Sequence, residues 1–402
     1  MKHNLVILTN NFPDTEKKSE IWLLDELNII YTYFNKIYLI PDIDVKGSYK
    51  LPSNVEVIET NNSENISLID KWNCFKVLMS DCKYYPSKIH FFKNLRYNFA
   101  LLKSIQSKAN NINVKLNKIE NNIILYSYWS DNLATKASLI KLKNKNIINF
   151  ISRGHGFDVF ENQTHFGVIP FRKFQYTQLN KIYSVSKKGL NHLNANRRYN
   201  ETKNSYSYLG TLNNSFKNIF NYNNTFSILT CSFIRNVKRL DLMPEILKHI
   251  NFELIWHVIG NGEDFDLLKE KCKVLPKNIS VIFHGELSNH EVLNFYQNNS
   301  INLFASLSFS EGLPVSMMEA QSFGIPIMST DVGGCSEICN NETGFLIDKN
   351  FVAKDVAEKI EKFKSSNKNT ITFHNQCRKH WEENFDAEKN YKQFAESILN
   401  LN

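Results

Sequence analysis

Twelve short runs of apolar residues, almost unbroken within each run, constrain this chain more than any other feature of its sequence. In the first half they are Leu5–Leu8, Lys36–Ile40, Val55–Ile58, Ile123–Tyr126, Ile147–Ile151 and Ile182–Val185. In the second half they are Ser227–Cys231, Leu254–Ile259, Ile279–His284, Ile301–Ala305, Pro326–Ser329 and Gly344–Ile347. A strand that is apolar on both faces needs helices over both faces, which is the situation of a parallel sheet. Helix-period stretches lie between the runs: Glu20–Phe34 and Asn132–Leu142, then Leu240–Lys248, Phe265–Lys273, His290–Asn298, Pro314–Phe323 and Val352–Phe363. The alternation predicts an α/β chain of two Rossmann-like, doubly wound domains facing a central cleft. The length of 402 residues suits two such domains. The polar stretch Asn213–Asn224 reads as the connector and 387–402 as a terminal amphipathic helix. The expected domains are 1–210, completed by the helix 387–402, and 211–386.

Other classes are disfavoured. No segment approaches the ~18 uninterrupted apolar residues of a membrane-crossing helix. Leu5–Leu8 is followed at once by Asn10-Asn11, so the start reads as a buried strand and not a signal peptide, and the expected location is the cytoplasm. The seven cysteines are scattered and odd in number, which argues against a disulfide framework. Cys335 and Cys339 lack the further ligands of a zinc site. Asp42-Ile43-Asp44, the one D-x-D string, lies just after a strand and reads as a polar turn, not a metal pair. A nicotinamide dehydrogenase would want G-x-G-x-x-G after the first strand, and Thr9–Pro13 has no glycine. Charge is uneven: residues 1–210 hold 29 Lys and Arg against 17 Asp and Glu, the remainder 19 against 23. The first half is therefore expected to meet something anionic. Nothing resembles a nucleic-acid motif, so no nucleic-acid partner is expected.

The richest stretch runs from Ser308 through Glu311-Gly312-Leu313-Pro314-Val315 to Glu319. A strand ends before it and a helix begins at Pro314, which lacks the N–H that a helix start leaves unpaired. Such an N-terminus offers N–H groups and a positive dipole end to phosphate. Gly312 lets backbone approach a ligand. Glu311 would project past the phosphates towards sugar hydroxyls, and Glu319 could reach a ribose diol.

Glu311 and Glu319 form an E-x7-E motif. With Phe323–Ile327 and Asp331-Val332-Gly333-Gly334-Cys335-Ser336-Glu337, it resembles glycosyltransferase family 4. Three further patches follow the same family's order: Arg153-Gly154-His155-Gly156-Phe157-Asp158, Lys238-Arg239-Leu240-Asp241, and His257–Glu263 with its Gly260-x-Gly262. The resemblance implies a GT-B fold and a retaining, metal-independent glycosyltransferase without cofactor. It implies a nucleotide-diphosphate sugar donor, UDP by default and GDP otherwise, and a glycan or lipid-linked acceptor in surface polysaccharide synthesis. In that reading Glu311, His155 and Lys238 are catalytic, Glu311 contacting the transferred sugar and Lys238 the diphosphate. Glu319, Gly312, Leu313, Pro314, Val315, Gly260 and Gly262 hold the donor. Where many members carry a Gly-Arg pair this chain has Ser232-Phe233, which leaves Arg235 and Arg239 as candidates to replace that arginine. Gly156, Asp158 and Glu20 lie on the acceptor side, Glu20 closing a loop, Asn10–Glu20, that resembles F-P-x-x-x-E-x-F-L.

Two other readings keep the fold: a sugar-nucleotide epimerase, which needs no acceptor, and a non-catalytic binding subunit. Residues 71–108 carry eight Lys or Arg and one acid among many aromatics. They read either as an anionic membrane surface or as ordinary amphipathic helices covering the first sheet.

Overall fold

The structure is a computed structural model that describes every residue except 1, 17–19, 61–65, 86, 121, 162–163, 165–166, 197–199, 215–218, 222–224 and 402. Parts of the Asn10–Glu20 loop, of the 71–108 stretch and of the Asn213–Asn224 connector thus lie outside the described residues. The chain divides into two units, Met1–Tyr208 with Tyr391–Asn402, and Leu209–Asn390. Each is described by itself.

The first unit holds β1 (Asn4–Thr9), β2 (Ile37–Pro41), β3 (Val55–Val57), β4 (Ile123–Ser127), β5 (Ile147–Gly154), β6 (Lys181–Ser184) and β7 (Asn204–Tyr206). They form one sheet in the order β3-β2-β1-β4-β5-β6-β7, and every pairing is parallel. All six residues of β1 are buried, as an apolar run covered on both faces must be. β7 has no apolar signature: its Asn-Ser-Tyr sequence lies partly exposed at the sheet edge.

The second unit holds β8 (Phe226–Cys231), β9 (Leu254–Ile259), β10 (Ile279–Gly285), β11 (Leu303–Ser306), β12 (Ile327–Thr330) and β13 (Gly344–Ile347). Their order is β10-β9-β8-β11-β12-β13, again all parallel. Helix Ile371–Asn384 escapes the sequence pattern because it is mostly polar. It is fastened by its buried face, where Cys377 and Trp381 are enclosed and the Trp381 indole donates to Thr211 Oγ1 at 2.8 Å.

Two expected helices are shorter than their patterns. The first covers Trp22–Ile30 and then tightens into a 3-10 turn, Tyr31–Tyr33. Leu240–Lys248 begins as a 3-10 turn, Leu240–Leu242, before the short helix Met243–Leu247. Pro244 near its start lacks an N–H and is tolerated only there. Asp42 is an ion-pair hub, accepting from Lys108 at 2.9 Å and also from Lys136. Cys339 donates to the carbonyls of Ile327 and Phe345. Among the described residues no helix is long and apolar enough to cross a membrane.

Candidate functional site

Both sheets reverse their strand order once, between β1 and β4 and between β8 and β11. In open parallel sheets, ligands bind outside the carboxyl ends of the strands at such a switch point. In the second unit, Cys231 ends β8 and Ser232 follows it, while Ser306 ends β11 and Ser308 and Glu311 follow; with Lys238 they line one small pocket.

Lys238 and Glu311 meet there. The ammonium lies 2.5 Å from Glu311 Oε1, with both side chains mostly shielded from water. Ser308 Oγ donates to the same oxygen at 2.6 Å. Glu319 accepts from Asn289 Nδ2 at 2.9 Å. Its charge is felt at the end of β8: the Cys231 thiol is pushed up to about 12, first by burial and then by Glu319. Lys238 acts on the same thiol in the opposite direction, and Glu311 lines the same pocket as Cys231.

The loops that carry these groups are built on backbone contacts. Lys238 ends the 3-10 turn Asn236–Lys238, and the Phe309 N–H donates to the Val237 carbonyl at 2.8 Å, tying that turn to the Glu311 loop. Arg239 follows in the left-handed region, φ 50°, which costs a non-glycine residue about 1–2 kcal/mol. Its guanidinium holds the position by donating to the carbonyls of Leu307 at 2.8 Å and Lys349 at 2.9 Å. It also lies over the rings of Phe309 and Phe351. Nε and Nη1 of Arg239, expected on the donor side, thus go to loop carbonyls, while its Nη2 is buried and, among the described residues, has no hydrogen-bond partner. Arg235 is exposed before that turn.

Gly260 and Gly262 also act through backbone. Their φ angles are 133° and 157°, and an added Cβ would fall 1.9 Å from the Ser232 carbonyl oxygen and 2.3 Å from that of Ile234. The Ile234 N–H donates to the Asn261 carbonyl at 2.9 Å. The pair lets this loop lie directly on the chain leading to Lys238. Gly333 does the same for Glu311: with φ 50°, its missing Cβ would fall 1.8 Å from the Glu311 carbonyl oxygen, and the Gly334 N–H donates to Gly312 at 2.6 Å. Pro314 caps helix Val315–Ser322 from just outside it, and Gly312 and Leu313 form the turn that enters it.

The first unit carries a second cluster beside its own switch point, at the carboxyl ends of β4 and β5. His155 follows β5, 92% buried, and among the described residues neither ring nitrogen has a hydrogen-bond partner. The Trp129 and Tyr128 rings lie 4.5 and 4.9 Å from its own. Burial, and then the Arg153 charge, push the imidazole pKa well down, so it is neutral. Arg153 lies beneath, fully buried, paired with Glu26 at 2.6 Å and set over the Phe394 ring.

Two residues expected on the acceptor side are placed here. Asp158 is fully buried and accepts the N–H groups of Ser130, His155 and Gly156 at 2.7 to 2.8 Å. Glu20 is likewise buried, taking the N–H groups of Asn10, Asn11 and Phe12 and the Trp129 indole at 2.5 to 3.1 Å. Asp158 fixes the backbone of His155 and Gly156 directly, and Glu20 fixes Trp129 beside the imidazole. Trp129 joins Glu20 to His155, and its sequence carries no mark beyond its place just after β4. Ser308 and Asn289, the partners of the two motif carboxylates, were equally unassigned.

Residues 213–384 match the family model described as glycosyl transferases group 1. The O-antigen biosynthesis glycosyltransferase WbnH of Escherichia coli is 29% identical over 258 residues, 62% of this chain and 70% of that protein. The capsular polysaccharide biosynthesis glycosyltransferase CapM of Staphylococcus aureus is 30% identical over 145 residues, 36% of each chain. Among solved structures, Anabaena Alr3699/HepE in complex with UDP superposes with a TM-score of 0.68 at 14% identity, over 99% of this chain and 100% of that one. At that identity the likeness establishes the fold, which is GT-B.

Proposed function

We propose, on the match of residues 213–384 to the group 1 glycosyl transferase model, that this chain is a retaining glycosyltransferase that moves a sugar from a UDP-sugar to a lipid-linked glycan. The observation that carries the reading is the Lys238–Glu311 contact at the β8/β11 switch point, 2.5 Å long and backed by Ser308. A departing nucleotide diphosphate needs its charge met. Lys238 and the N-terminus of helix Val315–Ser322 supply prepositioned positive potential for it, with Arg235 as the further cation. Glu311 accepts from hydroxyls of the transferred sugar, and Glu319 from the ribose. The reading calls for no metal, because these groups already oppose the developing charge.

The first unit holds the acceptor. His155, neutral and with both ring nitrogens unsatisfied, can donate to one partner and accept from another. Attack on the face that the diphosphate leaves retains configuration, the phosphate oxygen taking the acceptor proton. WbnH and CapM, named for O-antigen and capsule synthesis, support a polysaccharide acceptor. Work at the cytoplasmic face of the membrane follows from such an acceptor.

The test is transfer from a panel of UDP-, GDP- and ADP-sugars to a lipid-linked saccharide, with the anomeric configuration of the product read by NMR. Retention, with turnover reduced roughly 10²–10³-fold in Glu311→Gln, is expected. Inversion would overturn the mechanism. Isomerised donor in the absence of acceptor would assign the site to an epimerase.

A further inference from the structure

Helix Leu68–Asp81 in the first unit is inside out. Its buried face carries Asp70, Cys74, Leu78 and Asp81, while Leu68, Trp72, Phe75 and Met79 face solvent. At about 100° per residue these four span an arc of about 60°. Leu68, Ile69 and Trp72 are 81%, 73% and 57% exposed, whereas Asp70 and Asp81 are 5% and 3% exposed. Solubility alone produces the reverse arrangement.

Each acid has an internal partner. Asp70 accepts from Lys143 at 2.5 Å and Asn110 at 3.1 Å, and Asp81 accepts the Phe171 N–H. Turning both carboxylates inward leaves the outer face without negative charge. Lys71 and Lys76 flank the apolar stripe on either side, and Lys76 lies over the Trp72 ring at 5.4 Å. A second exposed apolar pair, Ile89 and Phe92, follows on helix Lys88–Lys93, again beside lysines. Helix Leu95–Leu116, by contrast, sends Leu102, Ile105, Ala109, Ile112 and Leu116 into the core. The basic stretch thus contains both of the structures that its composition allows: one helix covers the sheet, and another presents its apolar side to solvent.

We infer that the outer face of helix Leu68–Asp81 docks on an anionic lipid bilayer, Leu68, Ile69, Trp72, Phe75 and Met79 entering the headgroup boundary while Lys71 and Lys76 meet lipid phosphates. The charge pattern selects this occupant. A stripe of Leu, Ile, Trp and Phe between lysines, with every acid of the helix withdrawn, fits an apolar layer under a negative surface. The inference rests on the lipid-linked acceptor for its purpose, but docking itself needs neither donor nor acceptor.

The experiment is co-sedimentation of the full chain with vesicles of phosphatidylcholine alone or mixed with phosphatidylglycerol, at low and high salt, without sugar nucleotide. Binding to the mixed vesicles that weakens with salt is expected. Lys71→Glu with Lys76→Glu reduces partitioning by roughly 25-fold or more, at about fivefold per lysine charge removed. Ile69→Gln with Trp72→Gln lowers it comparably, and Leu267→Gln with Val274→Gln, exposed positions of the second unit, leave it unchanged. Thermal midpoints matching the parent show that the variants are folded. Absence of binding to both vesicle types, or tight binding by both helix variants, overturns the inference. A dimer that Ile69→Gln with Trp72→Gln converts to monomers would overturn it too, assigning the face to a second copy. Transfer to a soluble acceptor, measured on the same variants, keeps the two readings apart: lost docking with intact transfer leaves the enzyme standing, and docking without any transfer refutes only the enzyme.

Discussion

Gly333→Ala is a one-methyl test of how Glu311 is held. The new Cβ would fall 1.8 Å from the Glu311 carbonyl oxygen and 2.7 Å from its carbonyl carbon, where real Cβ atoms keep at least 3.0 Å from such atoms. The obstacle is backbone, so no side chain can swing aside. The Glu311–Gly312 loop must retreat by about 1.2 Å, the shortfall between those distances. A misplacement of about 1 Å at a reacting group costs on the order of 10²-fold in rate. The alanine must also occupy φ 50°, a conformation that costs about 1–2 kcal/mol for a residue with a Cβ. The expected result is a turnover loss of roughly 100-fold, read as nucleotide release from the preferred UDP-sugar in the presence of acceptor, together with a modest fall in the thermal midpoint. A variant that is destabilised as expected yet turns over within about threefold of the parent would refute the claim that this turn positions Glu311.

Glu26→Ala strands the Arg153 guanidinium, since both side chains of that 2.6 Å pair are wholly buried; a loss of about 3–5 kcal/mol is expected in denaturant titration. Buried His374 gives the protein an acid-sensitive element. Its pKa is lowered from the ordinary 6.5 to about 3 by burial, so the unfolded chain gains a proton below 6.5 that the folded one refuses. Stability therefore falls as pH drops through that window, by about 2 kcal/mol at pH 5 relative to neutral pH. Replacing His374 with Phe should flatten this part of the profile in thermal melts at pH 5 and 7.

Where sequence reading succeeded, one signal dominated. A strand buried on both faces, such as Val6–Leu8 or Ile228–Thr230, has no choice but a continuous apolar run, and most of the strands described announce themselves that way, whereas β3 and β10 lie largely unburied. β7 does not, because its place at the sheet edge asks for no such run. The Lys238–Glu311 site was legible because its parts are unusual residues at fixed offsets beside glycines. What escaped were the residues that act through those parts. The offset from Lys238 to Arg239 says nothing of which guanidinium turns back to the Leu307 carbonyl, since that depends on a left-handed backbone angle. Glu20 and Asp158 are written in motif positions, but only folding shows that backbone N–H groups consume their oxygens. The orientation of helix Leu68–Asp81 was equally hidden, because apolar residues fall on both of its faces and only the partners of Asp70 and Asp81 decide which side is buried.

Lys238 meeting a diphosphate at the β8/β11 switch point is the contact on which transfer depends. Isothermal titration of the parent and Lys238→Met with whichever of UDP, GDP and ADP the parent binds most tightly measures this directly. Loss of one charge-assisted bond, about 1.5–3 kcal/mol, predicts affinity weaker by roughly 10- to 100-fold, with the fold retained. Equal affinity of the two proteins for that nucleotide would contradict it.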